Sequence, residues 1–228
     1  LFDLISAHVT PLYIGLEDTD PLDELDRGNS IVENALWGIH VEAGGALSVT
    51  NNDISDNGTD DVATGLGGGV FVDASGSYNP NIDVGIKSNL LNRNFGVGLD
   101  LTTAAGSDMV ATVRENLIKE NKNPSGYQTS DGVELTTFGT LNFTATGNFI
   151  EGNQGRGLDF LNAGSAESQL KIGDPLMELG AGRNYFVGNR LEGLYIVNTP
   201  TRAQSQELPA SVPPLVGDAN TQPDIMSV

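Results

Sequence analysis

Apolar residues fall into one short figure that recurs six times along the chain: Asn, any residue, an apolar residue, two further residues, Asn. It stands at Asn29-Ile31-Asn34, Asn52-Ile54-Asn57, Asn89-Leu91-Asn94, Asn116-Ile118-Asn121, Asn148-Ile150-Asn153 and Asn184-Phe186-Asn189. Each is followed by a Gly and an apolar-x-apolar triplet, as in Gly98-Leu99-Asp100-Leu101 or Gly157-Leu158-Asp159-Phe160. Alternation at period two predicts short, half-buried strands. In two repeats a segment rich in Gly, Asp, Asn or Ser separates the figure from its Gly, and these insertions are expected to be surface loops. A third apolar segment precedes most figures: Leu47-Ser48-Val49, Val84-Gly85-Ile86, Val110-Ala111-Thr112-Val113 and Leu141-Asn142-Phe143. Three short strands per repeat without helical periodicity describe one turn of a three-sided coil, each strand pairing with its counterparts about 4.8 Å above and below.

Asn is expected at the corners for two reasons: it tolerates left-handed backbone, and its amide can ladder with the Asn of the next coil. Gly is expected where φ must be positive. A leucine-rich repeat would need a longer leucine consensus than this chain carries. The figure N-x-I-x-x-N followed by G-φ-x-φ resembles the right-handed parallel β-helix repeat family. The stretch from Ile172-Gly173 through Gly180-Ala181-Gly182 into Asn184 is similar to an insertion that recurs in its bacterial members. The resemblance, over residues 3–198, implies an all-β, single-stranded right-handed parallel β-helix of about seven coils. It is specific for fold and silent on chemistry. Pectate lyases, polygalacturonases, alginate lyases, uronate epimerases, phage tailspikes and non-catalytic surface proteins share it.

The pattern divides the chain into a solenoid over residues 1–198 and a proline-rich linker or extended flap over 199–228, which holds five of the ten prolines. Asp3-x-Ile5-x-x-His8 followed by Leu12-Tyr13-Ile14 fits the repeat imperfectly. The solenoid is therefore expected to open inside a coil, with further coils upstream in a parent protein.

Charge narrows the partners. Thirty Asp and Glu against eleven Lys and Arg give a net charge of −19. Nucleic acid, whose phosphates need clustered basic residues, is not an expected partner, and an anionic polymer would need a bridging cation such as calcium. Cysteine is absent, which removes disulfides and zinc-thiolate sites. No apolar run reaches the length of a membrane-spanning helix, so no membrane insertion is expected.

In each G-φ-x-φ strand the residue between the apolar pair should face outward. Read down the solenoid, that column is Tyr13, His40, Phe71, Asp100, Glu134, Asp159 and Tyr195. Asp100, Glu134 and Asp159 are the candidate catalytic residues of a glycoside hydrolase or lyase. Neighbours about 5 Å apart and alternate coils about 10 Å apart bracket the carboxyl separations of glycosidases. Tyr13, His40, Phe71 and Tyr195 are the candidate ligand-binding residues, offering rings to a sugar. Solvated surface is the competing reading. Polygalacturonases also cluster aspartates on an exposed strand face, but their surrounding motifs are missing here. A lyase base has no candidate among the scattered Arg93, Arg114, Lys119 and Arg156, and Arg156, near Asp159, is expected to pair with Asp131 in the preceding coil. Calcium is the one cofactor the acidic loops would admit, at Asp53, Asp56, Asp60, Asp61 and Asp73 or across Asp18 to Asp26, although none has the EF-hand spacing.

The sequence-level reading is thus a non-enzymatic, extracellular or cell-surface module of a larger protein, structural, adhesive or assembling. Its expected partners are polysaccharide or the neighbouring coils and subunits of a parent assembly. A polysaccharide-acting enzyme and a glycan-binding module on the acidic face are the alternatives.

Overall fold

The computed structural model describes residues 2–4, 11–15, 28–42, 44–58, 67–74, 81–123, 130–164, 167–173 and 182–198. The loop insertions, the acidic runs at Asp18 to Asp26 and Asp60-Asp61, and the proline-rich tail lie outside these residues.

The described chain is all-β, and its strands fall in rotation into three parallel sheets. The first has seven strands: Phe2–Leu4, Trp37–Glu42, Gly68–Asp73, Val97–Thr103, Val133–Thr137, Leu158–Asn162 and Leu194–Asn198. Leu12–Gly15, Gly45–Thr50, Asn81–Lys87, Asp108–Arg114, Thr140–Thr146 and Gln169–Ile172 form the second. Six three-residue strands, from Ser30–Val32 to Tyr185–Val187, form the third. Each turn visits all three sheets, giving six complete coils and a seventh strand on the first sheet.

The apolar residue of every Asn figure lies inside. Ile54, Leu91 and Ile118 are fully buried and Ile150 nearly so, stacked in register on the third sheet against Leu99 and Leu135 from the first and Val84 and Ala111 from the second. Burying each such side chain contributes roughly 1.5–3 kcal/mol.

Two asparagine ladders flank the third sheet. Asn94, fully buried, shows the pattern: its Oδ1 accepts from the backbone N–H of Asn57 at 3.0 Å and from Asn57 Nδ2 at 3.1 Å. Its Nδ2 donates to Asn121 Oδ1 and to the Ile54 carbonyl, both at 3.1 Å. Every donor and acceptor of the amide is used, which is what lets a polar residue stay in the core. The second ladder runs Asn29, Asn52, Asn89, Asn116, Asn148, Asn184 in the same way.

The corner conformation corrects the expectation that these asparagines are left-handed. The positive φ belongs to the residue just before them: Glu33, Asn51, Asp56, Ser88, Arg93, Glu115 and Glu120, at φ between 52° and 59°. Gly147, Gly152 and Gly188 hold the same place in the last coils. The side chain that must point inward to ladder needs ordinary backbone, so the turn is made one residue earlier, where the side chain faces out. The glycines of G-φ-x-φ are likewise not left-handed. A Cβ on Gly98 would lie 2.7 Å from Asn121 Nδ2 and from the Gly132 carbonyl and 2.8 Å from Ile118 Cγ2, so close packing of one coil on the next excludes any side chain there.

Candidate functional site

Six of the seven expected column residues share the first sheet in one register. His40 pairs with Phe71, Phe71 with Asp100, Asp100 with Glu134, Glu134 with Asp159, and Asp159 with Tyr195. Tyr13 does not belong. It lies on the second sheet opposite Ser48, and the place above His40 is taken by Asp3. Leu12-Tyr13-Ile14 has the period-two pattern common to strands of both sheets, and only its position before the Asn29 figure tells which one it joins.

The column is half-buried. Burial, opposed by a hydrogen bond from the Thr102 hydroxyl and helped by the charge of Asp73, pushes Asp100 up to about 7. Burial also pushes Glu134 up to about 7, with the charges of Asp100, Asp131 and Asp159 adding to it and Arg156 opposing. Asp159 is raised by burial as well, against the pull of Arg156. These are the two causes by which a carboxyl is kept protonated near neutrality: a dry setting and like charges in the next strands.

The lower end of the column is organised by Arg156. Its guanidinium reaches Asp159 Oδ2 at 2.7 Å and Glu192 Oε2 at 3.1 Å, and lies 3.9 Å from the centre of the Tyr195 ring. Asp131, in the preceding coil, accepts the Arg156 backbone N–H rather than the guanidinium. At the upper end Phe71 stacks on Trp37 at 5.1 Å and lies tilted against His40 at 4.9 Å, while His40 Nε2 approaches Glu42 Oε1 to 3.2 Å without a hydrogen-bonding angle.

Sequence reasoning overlooked a second outward column on this sheet, two residues along each strand: Glu42, Asp73, Thr102 and Thr136, then Leu161 and Val197. The signal was available, since any residue two after an outward position is also outward. Asp73, read from the sequence as a loop acid, thus stands beside Asp100. Among the described residues no three His, Asp or Glu stand close enough to hold a metal ion. Of the other loop acids, Asp56 is ion-paired with Arg93, and Asp53 accepts the Ser55 hydroxyl.

The raised carboxyls carry a pH dependence whose sign is fixed. A carboxyl with a higher pKa in the folded than in the unfolded chain contributes stability that is complete below the unfolded value, near 4, and is lost as pH rises through the folded value of about 7. The thermal midpoint is therefore expected to fall across that window. Asp100→Asn should flatten the decline and stabilise the chain near pH 8 by on the order of 2 kcal/mol, allowing for solvent on the open side of the face. Melting curves of both proteins from acid to mildly alkaline pH check this.

A model of the family described as right handed beta helix region matches residues 24–172, more than half of the chain. No curated protein and no solved structure gives a significant match.

Proposed function

From its membership of the right-handed β-helix family, a fold that sets shape and leaves chemistry open, we propose that the chain is a non-enzymatic module of a larger surface or secreted protein, a rigid structural, adhesive or assembling rod. The observation that carries this reading is the pair of asparagine ladders running unbroken through all six coils. They tie each coil to the next over roughly 24 Å of stacked strands and make the outer faces fixed surfaces on which side chains keep their spacing. Placement outside the cell is part of the proposal, since a spacer or adhesive rod works at a surface.

A second reading is favoured by one observation. Asp100 and Glu134 titrate near neutrality beside Asp159, which is paired with Arg156. Carboxyls of unequal setting, two raised by burial and one held by an arginine, are what the acid and carboxylate of glycoside hydrolysis require, with adjacent strands about 4.8 Å apart. The test is a panel of neutral and uronate polysaccharides, with and without calcium, read for new reducing ends and for unsaturated products. The rod reading expects neither. Product that disappears in Asp100→Asn and Asp159→Asn, with the fold intact, would replace it with the hydrolase reading.

A further inference from the structure

The second sheet presents the opposite chemistry to the first. Its central outward column runs Tyr13, Ser48, Gly85, Thr112, Thr144, Lys171. The next runs Gly15, Thr50, Lys87, Arg114, Thr146. In a chain of thirty acids neither column of described residues contains a carboxylate. The closest acids along these strands are Asp83, two residues before Gly85, and Glu115, which is ion-paired with Arg114 at 2.9 Å. Lys87 is exposed and makes no ion pair among the described residues.

Between the columns lies an open groove of about 480 Å³ across three coils, floored by Gly85 and Ile86 and walled by Ser48, Thr50, Lys87, Thr112 and Arg114. Gly85 makes it. Unlike Gly98, whose Cβ would collide with the next coil, Gly85 has room: a Cβ there would meet only the Leu47 carbonyl, at an ordinary 3.7 Å, and its φ is not positive. Neither packing nor backbone requires glycine at this strand centre, where it weakens the sheet. What its missing side chain provides is the notch.

We propose that this groove binds a glycan through a single carboxylate borne on an otherwise neutral, hydroxyl-rich sugar. Lys87 receives the carboxylate, and Arg114, its neighbour across one strand spacing, adds Nη1, since Glu115 already holds its Nε and Nη2. The hydroxyls of Ser48, Thr50 and Thr112 meet the sugar hydroxyls, and Tyr13, 64% exposed one coil above Ser48, offers a ring face at the end of the groove. One carboxylate suits the site better than many, because a net charge of −19 repels a polyanion while a single cation pair at contact distance still attracts one charge. The proposal deepens the adhesive part of the rod reading and rests on it.

The probes are sialyllactose and a glucuronyl-lactose, which carry the carboxylate from two sugar sources, with lactose as the neutral control, titrated by calorimetry into the full chain. At least one carboxylated probe should bind, and lactose at least tenfold more weakly. Gly85→Val fills the notch with a residue that suits a strand, so it should keep or raise the melting temperature while weakening binding at least tenfold. Lys87→Glu should weaken it as much, whereas Lys119→Glu, the same charge change on the third sheet, should not. No binding of either carboxylated probe at millimolar concentration, equal binding of lactose, or unchanged binding by a folded Gly85→Val overturns the site. If binding fails and the polysaccharide panel stays silent, this inference falls and the rod stands. If the panel gives product while Gly85→Val still abolishes binding, the rod reading falls and the groove stands.

Discussion

Ile118→Asp is expected to destroy the folded state, leaving a chain with no cooperative melting transition and an expanded hydrodynamic radius. Ile118 is fully buried, stacked between Leu91 and Ile150, and a carboxyl in its place would have no partner among the apolar groups around it. Burying an unpaired charge or its protonated form costs several kcal/mol, on top of the roughly 3 kcal/mol lost with the aliphatic contacts. That is comparable to the entire stability of an ordinary domain, about 5–15 kcal/mol. Position matters as well. In a solenoid each coil is held only by its neighbours, so a break at a central coil separates the stack into two pieces, each with a newly exposed end. Ile118→Val, which removes one methylene, should cost only about 1 kcal/mol and keep the transition. A folded Ile118→Asp, seen by far-ultraviolet circular dichroism and gel filtration, would mean that inward and outward positions have been exchanged.

The second large effect is expected from Asn94→Leu, which keeps the number and branching of the side-chain heavy atoms and removes the amide. Four hydrogen bonds are lost with it, and the Asn57 backbone N–H, Asn57 Nδ2, the Ile54 carbonyl and Asn121 Oδ1 each lose a partner. At about 1–3 kcal/mol for each buried group left unsatisfied, and allowing for partial relaxation, the loss should be about 4 kcal/mol or more. Urea unfolding of the variant and the parent measures it. A loss under about 1 kcal/mol, the size of an ordinary surface change, would show that the ladder is an incidental product of stacking.

The coil architecture could be read from the letters because its determinants are local and repeated. An Asn whose amide needs a partner above and below recurs at fixed spacing, and the apolar residue between two of them has nowhere to go but inward. The conformational detail was less legible. That Glu33, Ser88 or Glu120, rather than the Asn after it, would take the left-handed turn follows from the direction of the ladder, which the spacing does not reveal. The acid column from Asp100 to Asp159 was visible because G-φ-x-φ repeats, and its half-burial was not, since burial depends on what neighbouring strands place alongside.

The groove on the second sheet was hidden for a different reason. Lys87 and Arg114 lie 27 residues apart, Ser48 and Gly85 37 apart, and these separations vary because loop insertions of different length intervene. Only the strand register brings the two columns side by side, and Gly85 in the sequence looks like a weak member of an apolar segment. Tyr13 shows the same limit. It was recognised as an aromatic ligand-binding candidate and assigned to the wrong face, because one short strand without its neighbours does not say which side of the triangle it occupies.

The two faces have distinct stakes. The acid column holds protonatable groups at a cost to stability near neutral pH, and the basic groove holds a glycine that the fold does not need. Either feature is a local departure from the arrangement that would best stabilise the stack, and such departures concentrate where a protein meets a ligand. The groove keeps in Lys87 a cation with no ion pair among the described residues, beside the hydroxyls a sugar requires, whereas the lower acid of the column is engaged by Arg156.

Recognition on a rigid solenoid without turnover is read out in one calorimetric experiment on the full chain, with sialyllactose and the glucuronyl-lactose titrated in parallel and followed well past saturation. At least one of the two probes should give heat that saturates at one ligand per chain and returns to baseline after every injection. Sustained heat with lactose and the free acidic sugar accumulating in the cell would show a catalyst, and no heat of binding from either probe at millimolar concentration would show a face that recognises nothing of this kind.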